Sequence, residues 1–492
     1  MLQKIIVVDN PDKWNLRIEN VPFISAREYL TDSKYRDMTN VRVYNLCKSY
    51  RYQSLGYYVS LIAQARGHKV LPDVMTIQDL KMHTVLKSSL DDIDELVQRN
   101  LKNIKSEHFE LSIYFGRNVS KNYDTLAKRF FDMFTVPFLR VFFEHDGKRW
   151  AIATIKTISS SEIPVHHYPY VEEFAKEYFS QKRMMNKIQK KYKFDIAILH
   201  DPNEEAPPSC EKALKKFVKA ANCLDMHAEL ITKNDYGRLA EFDALFIRET
   251  TNVHHHTYRF ARKAEAEGLV VIDDPTSILR CTNKVYLEEL LDHHSIRTPK
   301  CMILHKNNIQ ETLDYIGLPC VLKQPDSAFS MGVHKAKTYE EYLSHVNNLL
   351  GLSDLVIVQE FLPSSFDWRI GILGGKPLYA CKYFMAKNHW QIKDNSAEKK
   401  DQDGACETMA VAKVPDKVIA AAVKTAKLIG NGLYGVDIKE IDGKVYVIEI
   451  NDNPNLDHGY EDNYLKDDLY DIVMKHFHDL IEEKKSGGNN GK

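Results

Sequence analysis

The sequence has no apolar run approaching the roughly 20 residues that a membrane helix needs. Its start, MLQKIIVVDNPDKW, lacks the apolar core of a secretory signal. No CxxC pair occurs, and the 8 cysteines are scattered over 492 residues. A disulfide framework or a zinc site is therefore not expected, and reduced thiols in a cytoplasmic setting are. Net charge is nearly absent, −1 from 67 Lys+Arg and 68 Asp+Glu. A nucleic-acid or membrane surface is therefore not expected as the partner. There is no internal repeat and no GxxxxGK[ST] phosphate loop. What is present is ordinary globular composition, 44% hydrophobic and 27% charged. At this length it predicts roughly two to four compact units.

Patterning predicts where those units lie. Strands are expected at Ile5–Val8 and Val41–Leu46, then a helix Leu55–Ala65 stopped by Gly67, then a strand His68–Leu71. Leu111–Phe115 reads as a strand, and Phe138–Phe143 with Arg149–Ile155 as a hairpin across Asp146-Gly147. Lys182 to Lys193 is strongly basic and reads as a solvated linker helix. From Asp195 strand and helix alternate: strands Asp195–Leu199, Ala244–Ile247 and Leu269–Ile272, helices Cys210–Ala221 and Tyr258–Glu267. This predicts an α/β unit with a parallel sheet. Beyond Lys300 come strands Cys320–Lys323, Val356–Glu360, Trp368–Leu373, Pro377–Cys381, Gly435–Ile441 and Val445–Ile450, with a helix Lys417–Ile429. The tail SGGNNGK reads as disordered.

Three stretches carry chemistry. In GVDIKEIDGKVYVIEIND, Glu449 and Asn451 are two apart on one strand and share a face. A two-residue turn at Asp442-Gly443 would set Asp437 opposite Ile448, on the wrong face. An odd-length loop centred on Gly443 would set it opposite Glu449. In the second case two carboxylates and an amide oxygen converge, which suits magnesium; otherwise the stretch is a charged hairpin in solvent. In PCVLKQPDSAFSMGVHKA, Lys323 ends an apolar strand, and the small-residue loop Asp326–Gly332 offers backbone N–H groups to phosphate oxygens. In VIVQEFLPSSFDWRI, Glu360 can accept hydrogen bonds from a ribose or an adenine amino group, with Phe361 and Leu362 as apolar cover. Arg369 is either a site residue or one half of an ordinary ion pair. His254-His255-His256 raises the question of metal, but adjacent side chains on one element diverge, which weighs against a site.

These features, with Lys284 in SILRCTNKVYLEELL, the Gln359-Glu360-Phe361 hinge and the D…E-x-N set, resemble the ATP-grasp superfamily of carboxylate–amine ligases, and within it the RimK-like alpha-L-glutamate ligases. YNLCKSYRYQSLGYYVSLIAQARGHKV and IYFGR resemble a subgroup with an extra RimK-associated N-terminal domain. The resemblance implies a multidomain α/β and α+β protein. It would carry an accessory α/β domain over 1–185 and a pre-ATP-grasp α/β domain over 195–285. An ATP-grasp central lobe with the phosphate loop would span 286–365, and a C-terminal lobe with the metal site 366–482, before a disordered tail 483–492. It implies that Lys284 and Lys323, with Ser327, Ser330 and Gly332, contact the ATP phosphates. Gln359, Glu360, Phe361 and Leu362 would line the base and ribose pocket, and Asp437, Glu449 and Asn451 would bind Mg2+, with Mn2+ as a substitute. The implied reaction is ADP-forming: a carboxylate takes the γ-phosphate, and an amine displaces phosphate from the acyl phosphate. Acyl chemistry is expected of Arg369, Lys382 and Asn395, and weaker substrate contacts of Arg248, His255, Arg259 and Trp390. After the DxR strand, CKYFMAKNHWQIKDN departs from the family's FRxN element and holds no arginine, which leaves the glutamate substrate open. An amino acid or a peptide or protein tail is the expected partner, and a homo-oligomer the expected assembly.

Overall fold

The computed structural model describes residues 3–14, 21–38, 41–80, 93–159, 162–180, 192–326, 332–386, 390–392 and 404–487. It divides into two compact units, Met1–Lys191 with Asp235–Arg238, and Tyr192–Asn234 with Leu239–Lys492. No described helix is long and apolar enough to cross a membrane.

The first unit holds two sheets. Strands β1 (Gln3–Val8), β2 (Phe23–Ser25), β3 (Val41–Asn45) and β4 (Lys69–Leu71) form a parallel sheet in the order β2-β1-β3-β4. Ile5 and Val7 point into a core with Val43, Val59 and Tyr29. The helix Leu55–Ala65 is capped by the Ser54 side chain and ends before Gly67, at φ +69°. An antiparallel sheet of β5 (His108–Tyr114), β6 (Phe138–His145) and β7 (Trp150–Thr157) packs on the strongly amphipathic helix Asp124–Phe134 through Phe130, Leu139 and Phe143.

The second unit has three layers in chain order. First comes the expected parallel sheet: β8 (Phe194–Leu199), β9 (Met226–Ile231), β10 (Ala244–Ile247) and β11 (Val270–Ile272), in the order β11-β10-β8-β9. Next is an antiparallel sheet of β12 (Cys301–Leu304), β13 (Cys320–Lys323), β14 (Val333–Ala336) and β15 (Val356–Glu360), in the order β12-β15-β13-β14. Last is an antiparallel sheet of β16 (Phe366–Leu373), β17 (Lys376–Phe384), β18 (Cys406–Met409), β19 (Leu433–Ile441) and β20 (Lys444–Asn451), in the order β18-β17-β16-β19-β20. One face of the last sheet, through Ile370, Ile372, Val436 and Ile438, buries the helix Asp416–Ile429. Its other face carries the charged residues, leaving the polar side free for a site.

One expectation changes here, and one is not reached. The basic stretch lies almost wholly outside the described residues. The final helix runs Asp467–Gly487, and so continues into the segment read as a disordered tail.

Candidate active site

The hairpin β19–β20 decides whether the acidic residues meet. Its turn is the two-residue Asp442-Gly443, with φ +48° and +75°, and Ile441 pairs with Lys444. That turn alone would have kept Asp437 and Glu449 apart. Between Asp437 and Ile438 the register shifts: Ile438 pairs with Val447, and Asp437 with Glu449. Ile448 is thus the extra residue of a β-bulge. Asp437 does face Glu449, but the odd-length loop given as the cause is replaced by a bulge at the fifth residue of β20. Gly435 sits across from Asn451 on the same face.

Around this trio the charges are paired. Arg369, directly opposite Asp437 on β16, donates from Nε to Oδ1 and from Nη2 to Oδ2, the latter at 2.8 Å. Gly435 makes room for it: a Cβ there would lie 2.9 Å from Arg369 Cδ. Asp367 pairs instead with Lys439 at 2.6 Å. The Asn451 amide approaches Asp437 Oδ2 at 3.5 Å. Burial raises the Asp437 carboxyl more than Arg369 lowers it. Burial also acts to raise Glu449, but Lys284 and Lys323 outweigh it and hold Glu449 below the usual range.

Lys284 opens the helix Lys284–His293, whose N-cap is Asn283, and its Nζ lies 3.1 Å from Glu449 Oε1. Lys323 ends β13 and, with Gln359, faces the same pocket, lined also by Leu287, Glu288 and Ile448. Burial lowers the pKa of Lys323, with Lys284 adding to the effect and Glu449 opposing it. Glu288 was not anticipated. It accepts from Thr298 Oγ1 at 2.9 Å and from Gln359 Nε2 at 3.0 Å, and burial raises its carboxyl. Its position four residues after Lys284 was the available signal.

The hinge residues separate. Gln359 pairs with Val321 and so shares the face of Lys323. Glu360 Oε1 accepts the Lys300 N–H at 2.7 Å. Phe361 meets Trp390 edge-on at 5.8 Å, and Lys335 Nζ sits 3.2 Å from the Phe361 ring centroid. Leu362 is half-buried beside them. Lys335 is a further site cation that its edge-strand text, VHKA, did not announce.

Several expected site residues fall elsewhere. Lys382 pairs with Trp368, on the sheet face opposite Arg369, and its amine rests on the Phe366 and Trp368 rings at 4.8 and 5.2 Å. That removes it from the acidic face. Arg248 is wholly buried. It donates to Ser209 Oγ at 3.0 Å, Asn453 Oδ1 at 2.6 Å and the Pro454 carbonyl at 2.8 Å. It is a tie inside the fold, out of a substrate's reach. Arg259 lies exposed on the helix His256–Ala266. Ser327, Ser330 and Asn395 lie outside the described residues. Gly332, at φ +70°, closes its loop by accepting the Gln324 N–H at 2.9 Å. The histidines also differ from expectation. His255 is the extended N-cap and His256 the first helical residue, so the alternation that separates neighbours fails, and their ring centroids lie 3.9 Å apart.

A family model described as the RimK-like ATP-grasp domain matches residues 281–470, and one described as the RimK-like ATPgrasp N-terminal domain matches 26–174. The chain belongs to the RimK-like ATP-grasp ligases. This ligase is 27% identical over 244 residues to a probable alpha-L-glutamate ligase of Vibrio vulnificus strain YJ016, covering 48% of this chain and 78% of that one. It is 26% identical over 217 residues to the alpha-aminoadipate–LysW ligase LysX of Saccharolobus solfataricus, covering 43% and 75%. The structure of a RimK domain protein ATP-grasp from Sphaerobacter thermophilus covers 57% of this chain and 98% of that one, at 15% identity and a TM-score of 0.45.

Proposed function

We propose that this RimK-like ligase phosphorylates a substrate carboxylate with ATP and passes the acyl group to an amine, releasing ADP and phosphate. The observation that carries the reading is the convergence on Glu449 of two lysines from separate elements, Lys284 from a helix and Lys323 from the neighbouring sheet. Two cations beside one carboxylate make a pocket suited to phosphate oxygens, and Glu449 would be free to hold a metal there. Asp437, Glu449 and Asn451 supply hard oxygen donors across adjacent strands, which fits Mg2+, and equally Mn2+. The metal supplies charge neutralisation on the phosphates.

The protein's own residues do the rest. Lys284 and Lys323 neutralise phosphate oxygens as charge moves onto ADP. Arg369 holds Asp437 in place. Glu360, Phe361 and Leu362 bind the base and ribose, with Lys335 on the Phe361 ring. Gln359 faces the Lys323 pocket, and Trp390, edge-on to Phe361, contacts substrate. A substrate carboxylate oxygen attacks the γ-phosphorus and the bond to ADP breaks. The amine nitrogen then attacks the acyl carbon, phosphate leaves, and the nitrogen loses a proton. Gly332, which ends the loop after Lys323, offers backbone to the phosphates, and the acyl phosphate must be kept from water. The acyl donor or acceptor is an amino acid or a peptide tail; the two relatives' names carry the amino acids glutamate and alpha-aminoadipate.

The test is ADP release screened over amino acids and short peptides, with Asp437→Ala and Glu449→Ala as controls. Stimulation by at least one carboxylate–amine pair, lost in both variants, is expected. ATP binding without stimulated ADP release by any pair would leave only a nucleotide-binding regulator.

A further inference from the structure

The parallel sheet of the second unit reverses its strand order between β8 and β10, so loops leaving the carboxyl ends of these two strands open a crevice. The loop after β10 brings Glu249, His255 and His256 into it. One ligating atom from each lies within 4.8 Å of the other two, the only such group of three His, Cys, Asp or Glu residues among the described residues. Glu249 is 2% exposed. Its Oε2 is bonded to His256 Nε2, and its Oε1 is buried with no hydrogen-bond partner. A buried carboxylate oxygen left bare is costly unless something binds it. His255 is exposed, and its Nδ1 lies 3.2 Å from Thr257 Oγ1. Glu204, anchored on the Thr250 N–H at 3.0 Å, has a second buried oxygen without a partner.

The geometry points to a transition-metal site of the zinc class at Glu249, His255 and His256, separate from the ATP site. Two imidazoles and one carboxylate are the donor set that Zn2+ favours, whereas Mg2+ selects oxygen alone. In a tetrahedral site with bonds of about 2.1 Å the donors stand about 3.4 Å apart, so a small rotation of the exposed His255 ring completes it. Three protein donors leave a position for water or a substrate carboxylate oxygen. The alternative is a plain Glu249–His256 hydrogen bond at a helix start, which binds no metal.

The experiment uses the chelator-treated full chain in excess Mg2+, with Co2+ as the probe. Visible ligand-field bands that rise with Co2+ to a single equivalent, are removed by Zn2+ and resist further Mg2+ are expected. His255→Ala and His256→Ala should each weaken binding by more than about tenfold, the loss seen even for outer partners of a metal. Glu449→Gln should leave it unchanged, which keeps this result independent of the ligase reading. Circular dichroism checks each fold; should His256→Ala fail to fold, the exposed His255→Ala still decides. Absence of bands in the parent protein, or bands that survive both histidine variants, would overturn the assignment.

Discussion

Two charged clusters of the second unit handle burial in opposite ways. On the last sheet three carboxylates of one face each have a cation: Asp437 has Arg369, Asp367 has Lys439, and Glu449 has Lys284. At the crevice of the parallel sheet Glu249 and Glu204 each keep a bare buried oxygen. The first cluster is balanced by its own cations. The second is unbalanced by its own residues and is completed only by something from outside. Pairing with lysine and arginine satisfies a buried carboxylate within the fold, whereas bare oxygens beside imidazoles leave acceptor capacity that a bound group can use.

The comparison breaks most clearly at Arg369. Arg369→Ala leaves Asp437 buried and unpaired, and should cost about 3–5 kcal/mol in urea unfolding; a loss under 1 kcal/mol, at the low end for any substitution, would mean the pair is not holding the sheet face. Glu449→Gln should lower ADP release by about 100- to 1,000-fold, the effect of removing one charge-organising group, with little change in folding.

A third carboxylate shows balanced pairing away from any site. Burial alone would raise Asp462, but His458, the Gly459 N–H, Lys216 and Tyr470 outweigh it and bring its carboxyl down to about 2. The folded form then binds fewer protons than the unfolded chain below the ordinary carboxyl pKa. Stability from this group is present above about pH 4 and lost as pH falls through about 2, up to about 2 kcal/mol. Asp462→Asn should flatten acid unfolding over that window; an unchanged curve would refute the pairing. Smallest of all, Lys382→Met, on the far face, should change turnover by less than about twofold, and His255→Ala in metal-free protein should shift stability by less than about 0.5 kcal/mol. A large effect at Lys382, read as turnover, would return it to the site.

Much of this was legible. Strands Cys320–Lys323, Val356–Glu360 and Ala244–Ile247 and the helix Leu55–Ala65 lie at the bounds their patterning predicts. The strands that escaped notice, β2, β9, β12, β14 and β18, all lie at sheet edges. β9, as MHAELI, mixes polar residues among its apolar ones and so reads as no strand at all. At the site, side-chain alternation brought Glu449 and Asn451 together, but only a bulge could add Asp437, and a bulge has no residue signature here. Glu288 was missed because a buried glutamate looks like a surface one until its partners are seen. The two histidines were set apart by a rule for continuous elements, which does not hold where an extended cap meets a helix.

The bulge at Ile448 has a further consequence. Because the register is corrected next to the acidic residues, the tip at Asp442-Gly443 carries no information about the site. A Cβ at Gly443 would touch nothing within 4 Å, and the tip's one described outside tie is the Lys417 amine on the Gly443 carbonyl at 2.9 Å. The hairpin behaves as a lever pinned at its base. Its free end can lengthen, shorten or carry a grafted peptide while the ligand geometry stays fixed, so a loop or affinity tag inserted there has a built-in insulator between itself and catalysis.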